Sequence, residues 1–478
     1  MPTPRSALGT LGPAALTLLL GSWGITREDS MWRDEAATWE AAHRSLPDLA
    51  HLLDRIDVVH GAYHLFMHGV FAVLGDSLVT LRLPSVLAMA GATAAIAATA
   101  SRLAGPRAGA AAGAAFALMP STRHYAQEGH SYALVVAAVA VATLLLVTLM
   151  DGHGRPGRPT ARLWTAYVTA LLVAALLNWF SLLALPAHAA TVLLAHHRGA
   201  PRLLTRWLTA AAVVVGGALP VILASRSQAH QVAWIRPLTW STAPAPALLL
   251  ALGAFCAILL KRRPATRTKV PTGDAVSPGL PLLALPLIAL LIGTALATLV
   301  RSRRPLTALV LAASAALLPL QLDLRTPQSR VDDVLAPAET VAWTSRPGDG
   351  SFTGLDDPAL AESPTASGSL QGTEKPSTYM PSTYIRKAML RKHRILVVTD
   401  ADDHPGGGRD TVRRRVLVDH FTRCADTETR GRRVQAYERG SRCAARPTGS
   451  SRVRAPGNEP LSTREGSARA RRQGHVEP

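Results

Sequence analysis

YALVVAAVAVATLLLVTLM, residues Tyr132–Met150, is the stretch that decides the fold. It carries no charge over a length close to the ~20 apolar residues that cross a bilayer core. Similar runs lie on both sides of it. Upstream are Leu8–Gly24, Ala62–Leu74, Leu83–Leu103 and Ala108–Met119. Downstream are Leu163–Leu177, Leu182–Ala195, Leu203–Ala224, Ala245–Leu260, Leu280–Val300 and Leu306–Leu320. These make about eleven hydrophobic segments, several of them shorter than a full span. The pattern predicts a polytopic α-helical membrane protein.

The totals agree with this. Of 478 residues 48% are hydrophobic and 17% charged, where a soluble domain has about 25% charged. The net charge of +19 comes from Arg beside the apolar runs and from an Arg-rich end. No aromatic-interleaved basic patch accompanies it, so nucleic acid is not the expected partner. Arg5 precedes the first run and no small-residue cleavage site follows, which predicts a retained helix with its N-terminus inside. The loop 25–61 is then exposed on the outer face. Within it Leu46, Leu49, Leu52, Leu53 and Ile56 recur at helical spacing, as in an interfacial helix.

After Gln321 the long apolar runs stop. Arg394–Asp400 reads as a strand, Val412–Phe421 as a helix and Arg433–Glu438 as a closing strand. Residues 323–444 are therefore expected to form a small soluble extracytoplasmic α/β domain behind a membrane domain, 1–322. The remainder, 445–478, offers almost nothing apolar to bury and is expected to be a disordered basic tail. Cys256 lies in an apolar run, whereas Cys424 and Cys443 could pair if their segment faces an oxidising compartment. Two basic loops, Lys261–Lys269 and Arg301–Arg304, both read as inner loops, yet only one hydrophobic stretch separates them.

The acid and imidazole chemistry of the first third is concentrated in two places, Trp32-Arg33-Asp34-Glu35-Ala36 and Asp57-Val58-Val59-His60-Gly61. A carboxylate at the mouth of a membrane cavity can take a proton from a nucleophile as general base, although an acidic first helical turn looks the same in sequence. His64 and His68 stand one helical turn apart, which is metal-ligand spacing and equally the spacing of a polar cavity wall. Arg82, ahead of Pro84, could anchor a helix end at the headgroups. Glu128 in apolar surroundings needs a partner.

These motifs, with Leu81-Arg82-Leu83-Pro84-Ser85, Tyr125-Ala126-Gln127-Glu128, Ser131-Tyr132-Ala133-Leu134 and Gln231-Val232-Ala233-Trp234-Ile235, resemble the GT-C membrane glycosyltransferases. The nearest likeness is to glycosyltransferase family 39, which includes protein mannosyltransferases and the lipid A aminoarabinose transferase, and to its actinobacterial members. The resemblance implies a multi-pass cell-membrane enzyme that moves a sugar such as mannose from a polyprenyl phosphate to a protein or glycolipid acceptor on the extracytoplasmic face. It implies Asp34 as the base with Glu35 beside it. It implies Asp57, His60, His64, Arg82, Arg123, Tyr125, Glu128 and His130 as donor-binding residues. No cofactor is required by it; a divalent metal occurs in some relatives, but no cluster here demands one.

The chain departs from the pattern twice. His130 stands where the family usually has Arg, and the aromatic-rich Arg-Tyr motif of a late outer loop is missing around 280–300. A catalytically degenerate member is one alternative; a lipid-linked sugar transporter is another, without the repeated halves typical of transporters. Topology stays open on one point. If Ala62–Leu74 crosses, Tyr125–Tyr132 lies on the face opposite Asp34; if it dips and returns, the two share a face.

Overall fold

The computed structural model describes residues 4–55, 57–151, 160–196, 201–228 and 303–326, together with parts of 329–353 and 386–443. The chain divides into two compact units, Met1–Asp332 and Asp333–Pro478.

The first unit is helical. Its elements are α1 (Pro4–Ser22), α2 (Arg33–His43), α3 (Leu46–Arg55), a 3-10 turn (Val58–His60), α4 (Gly61–Leu74), α5 (Leu78–Ala104) and α6 (Pro106–Leu118). They are followed by α7 (Pro120–Ala126), α8 (Tyr132–Asp151), α9 (Thr160–Leu177), α10 (Ala184–His196), α11 (Pro201–Ser227), α12 (Arg303–Ala316) and α13 (Leu318–Asp323). Among the described residues three helices are long and apolar enough to cross a membrane: Leu78–Ala104, Tyr132–Asp151 and Arg202–Ser227. Gly9–Ser22, Ala161–Leu177 and Trp179–Leu193 are apolar but shorter.

Small side chains bring the helices close. α5, α6 and α8 share a core in which Met89, Ile96 and Phe116 are surrounded by Ala92, Ala112 and Ala140. At Gly113 an added Cβ would come within 2.7 Å of Pro13 on α1 and 3.0 Å of Ala97 on α5. Dispersion at such short range is what holds helices together where lipid competes for apolar surface. Large apolar side chains point outward instead, including Leu19, Leu87, Leu208 and Leu223. In water this would be an aggregating surface; in a bilayer it is the lipid-facing wall.

Helix ends settle the open question of topology. Gln127 Nε2 donates to the carbonyls of Gly21 and Trp23 at the end of α1. Arg82, near the start of α5, also reaches back to the segment after α1. Gln228, just past α11, donates to Leu53 O and accepts from Val58 N–H. The start of α5, the α6–α8 connection and the end of α11 therefore meet the 25–61 loop at one end of the bundle.

α4 leaves from that end at His60 and finishes three residues before α5 starts there. It lies along α2, with His68 Nδ1 on Ala42 O and Phe71 against Trp39 and His43. So α4 folds back along α2, and Tyr125–Tyr132 lies at the same end of the bundle as Asp34. The segments 245–260 and 280–300 and the basic loop 261–269, where the charge conflict arose, lie outside the described residues, as do Gln231–Ile235 and the tail 445–478.

The second unit holds α14 (Leu335–Thr344), β1 (Gly350–Thr353), β2 (Arg394–Asp400), α15 (Gly408–His420), β3 (Phe421–Thr429) and β4 (Arg432–Arg439). The strands form one sheet in the order β1-β2-β4-β3, parallel only between β1 and β2. Ile395, Val397 and Met389 pack with Val416, Leu417 and Phe421 to make its core. A disulfide joins Cys424 to Cys443 and closes the β3–β4 hairpin.

Candidate functional site

The two acids at the start of α2 have opposite environments. Glu35 is fully buried. Its carboxylate accepts from Arg82 Nε and Nη2, both at 2.7 Å, from Gly129 N–H at 2.9 Å and from Trp32 N–H at 3.4 Å. Arg27 Nη2 stands 3.9 Å away. Burial alone would raise the Glu35 pKa; the charge and hydrogen bonds of Arg82, helped by Arg27 and Gly129, outweigh it and bring it down to about 2. Arg82 also donates from Nη1 to Ile25 O and from Nη2 to Ser30 O, each at 2.6 Å. The turn that presents Ser30 O contains three consecutive non-glycine residues at positive φ, Arg27, Glu28 and Asp29, a strained backbone that this clamp holds in place.

Glu35 is enclosed and satisfied by these partners, a setting that fixes the position of the first loop. Arg82 has no surface exposed and is bonded to Glu35 and two carbonyls.

Asp34, one residue earlier, is partly exposed at the surface of α2. Its charge acts on both His60 and Tyr132. Beside it is a chain of hydrogen-bonded groups. Asp57 takes a left-handed backbone (φ 61°) as it enters the 3-10 turn. In that conformation its carboxylate meets His60 Nδ1 at 2.5 Å and His64 Nε2 at 3.0 Å. His60 Nε2 lies 3.2 Å from His130 Nε2, and the rings of His130 and Tyr132 stack edge to face at 4.6 Å.

Burial would raise the Asp57 pKa, but the hydrogen bonds and charges of the two imidazoles hold it below the usual carboxylate range. For His60 burial acts downward and is outweighed by Asp57 and then Asp34, which lift it above 6.5. His130 is pushed well below 6.5 by burial and by the charge on His60. The consistent protonation pattern is a carboxylate at 57, an imidazolium at 60 donating through both nitrogens, and a neutral ring at 130 accepting at Nε2. The remaining nitrogens, His64 Nδ1 and His130 Nδ1, are buried without a hydrogen-bond partner.

The other residues expected from the sequence divide. Tyr125 stacks on Tyr132 at 5.7 Å and on His124 at 5.1 Å, on the edge of the same cluster. Glu128 is buried, with His124 Nε2 at 3.8 Å and its backbone carbonyl accepting from Ser85. Arg123 is set apart: the charge that acts on it is that of Arg325. Residues that the sequence did not single out include Gln228, which ties α11 to the first loop, and Tyr63, buried beside His130 at 5.9 Å. Gln228 follows Arg226 at the end of an apolar run, a weak signal on its own. Among the described residues no group of three or more His, Cys, Asp or Glu is arranged to hold a metal ion.

No family model matches the sequence, and neither does any curated protein. A solved structure does: ArnT from Cupriavidus metallidurans bound to undecaprenyl phosphate superimposes over 89% of this chain and 97% of its own length, with a TM-score of 0.55 at 14% identity. The chain shares the GT-C fold of that membrane protein.

Proposed function

We propose that the chain is a membrane glycosyltransferase that moves a sugar from a polyprenyl phosphate to an acceptor on the extracytoplasmic face. The structural neighbour, which binds undecaprenyl phosphate, supports a lipid-phosphate-linked donor. The observation that carries the reading is the joining of three separate segments, 32–35, 57–64 and 127–132, at one end of the helix bundle. The clamp Glu35–Arg82–Gly129 and the contact His60–His130 make that junction.

In the proposed reaction Asp34 takes the proton from the acceptor hydroxyl or amine as that atom attacks the sugar, and the sugar–phosphate bond breaks with its electron pair leaving on the phosphate. The Asp34 carboxylate lies within electrostatic reach of His60, which Asp57 anchors. The buried imidazole nitrogens His64 Nδ1 and His130 Nδ1, which have no partner within the protein, are the groups that would bind substrate hydroxyls. The sugar is mannose in the simplest version of this proposal, and the acceptor a protein or glycolipid.

Membranes carrying the full chain, supplied with radiolabelled polyprenyl-phosphate mannose, should show transfer that falls about 100-fold or more in Asp34→Asn, the range lost with a general base. Undiminished transfer by Asp34→Asn would overturn the assignment of the base.

A further inference from the structure

His60 Nε2 and His130 Nε2 stand 3.2 Å apart, with their ring centroids at 4.4 Å. Two imidazole nitrogens at that distance bond only when one proton lies between them. With no proton two lone pairs oppose each other, and with two protons two cationic N–H groups do. The surroundings decide where the single proton resides. Asp57, 2.5 Å from His60 Nδ1, favours the cation at 60. His130 is 5% exposed and is flanked by neutral rings, Tyr63 of α4 at 5.9 Å and Tyr132 at 4.6 Å. The titratable groups whose charge reaches it are His60 and Asp57 at the 3-10 turn, His64 from α4 and Glu35 from α2. Glu128, two residues earlier, stands 3.8 Å from His124.

A side chain needed there only to accept a hydrogen bond could be an amide. An imidazole adds a second state: a proton taken from solvent onto His130 Nε2 turns the acceptor into a donor and sets two like charges face to face. We propose that His130 is a positioning residue that holds His60 and the 57–60 turn by this one shared proton, so that uptake of a second proton as pH falls releases the turn and slows transfer. The release stands on the geometry alone; its effect on transfer rests on the reading above.

The other tie at this junction does not respond in the same range. Glu35, its pKa brought down to about 2, stays charged in the folded protein, and above about pH 5 it is charged in the unfolded chain as well, so the Glu35–Arg82–Gly129 clamp is untouched there. His60, raised above 6.5, is protonated in both states below 6.5. Burial and the charge on His60 hold His130 well below 6.5. The unfolded chain thus takes up a proton at 130 that the folded protein resists, and stability at this site falls as pH drops from 6.5.

The test is thermal unfolding of the full chain in dodecyl maltoside at about pH 7.5, 6.5 and 5, for the parent, His130→Gln and His130→Leu. Between the two lower values the parent midpoint should fall by about 3 °C more than that of His130→Gln, whose amide oxygen accepts from His60 without titrating. At the highest pH His130→Gln should be the more stable of the two variants, because Leu leaves the His60 N–H without an acceptor. An equal fall in the parent and in His130→Gln would overturn titration at 130. A Leu variant as stable as the Gln variant would overturn the tie. In the transfer assay the parent rate, scaled to its own value at the highest pH, should drop in acid and that of His130→Gln should not. An acid limb kept by the variant would overturn the role in transfer. Absence of transfer by the parent at every pH would overturn the transferase reading alone, and the unfolding curves still decide on the tie. If His130→Gln does not fold, His130→Asn takes its place.

Discussion

Asp34 and Glu35 are adjacent in sequence, yet one is partly exposed and the other fully buried. Removing them should therefore produce different failures. Glu35→Gln leaves Arg82 charged in a site with no exposed surface, and breaking a buried pair in this way costs about 3–5 kcal/mol, readable as a lower unfolding midpoint. Asp34→Asn should abolish transfer while leaving that midpoint nearly unchanged. Acid should act through Glu35: its depressed pKa contributes stability that is complete above about pH 4.5 and is lost as pH falls toward 2. The Asp57–His60 pair has the opposite sign. Because the His60 pKa is raised, its contribution is complete below pH 6.5 and disappears as pH rises through the folded value. Asp57→Asn should thus move the alkaline limb of the transfer rate toward acid; a profile that stays in place would exclude His60 as the titrating group. The sequence singled these residues out but did not show how they are paired. Arg82 looked like a headgroup anchor because its partner lies 47 residues away, and nothing local reveals such a contact.

Among the elements, α4 was the ambiguous one. Its hydrophobic run is too short to cross and too apolar to be read as a loop, so composition alone left both possibilities. The packing on α2 decides for a helix that returns. Single cysteines at Ser45 and Ser121, in a chain lacking Cys256, Cys424 and Cys443, should then label from the same side of the membrane, and one at Ala104 from the other. The connection from α7 to α8 is equally constrained. A Cβ at Gly129 would meet Leu81 Cγ at 2.4 Å, so Gly129→Ala should displace the backbone N–H that binds Glu35 and lower stability by about 1–3 kcal/mol, measured by thermal unfolding. The long helices were evident from their long apolar runs. The left-handed turn at Arg27–Asp29 was not, because none of those residues is a glycine.

For the whole molecule, composition alone pointed to a membrane protein, and the fold shared with ArnT agrees. The pairing of Cys424 with Cys443 was open in sequence because their separation in space was unknown. The disulfide closes a loop of 19 residues, for which chain entropy gives about 3 kcal/mol, so reduction should lower the unfolding midpoint of the second unit. The clamp around Glu35 also bears on biogenesis. During synthesis the first loop emerges long before Gly129, so its carboxylate and the strained turn beside it have no counterpart until α5 has been inserted and the segment before α8 has followed. A nascent chain stopped short of that point holds Glu35 through Arg82 but not Gly129, whose N–H completes the clamp only when the segment before α8 arrives.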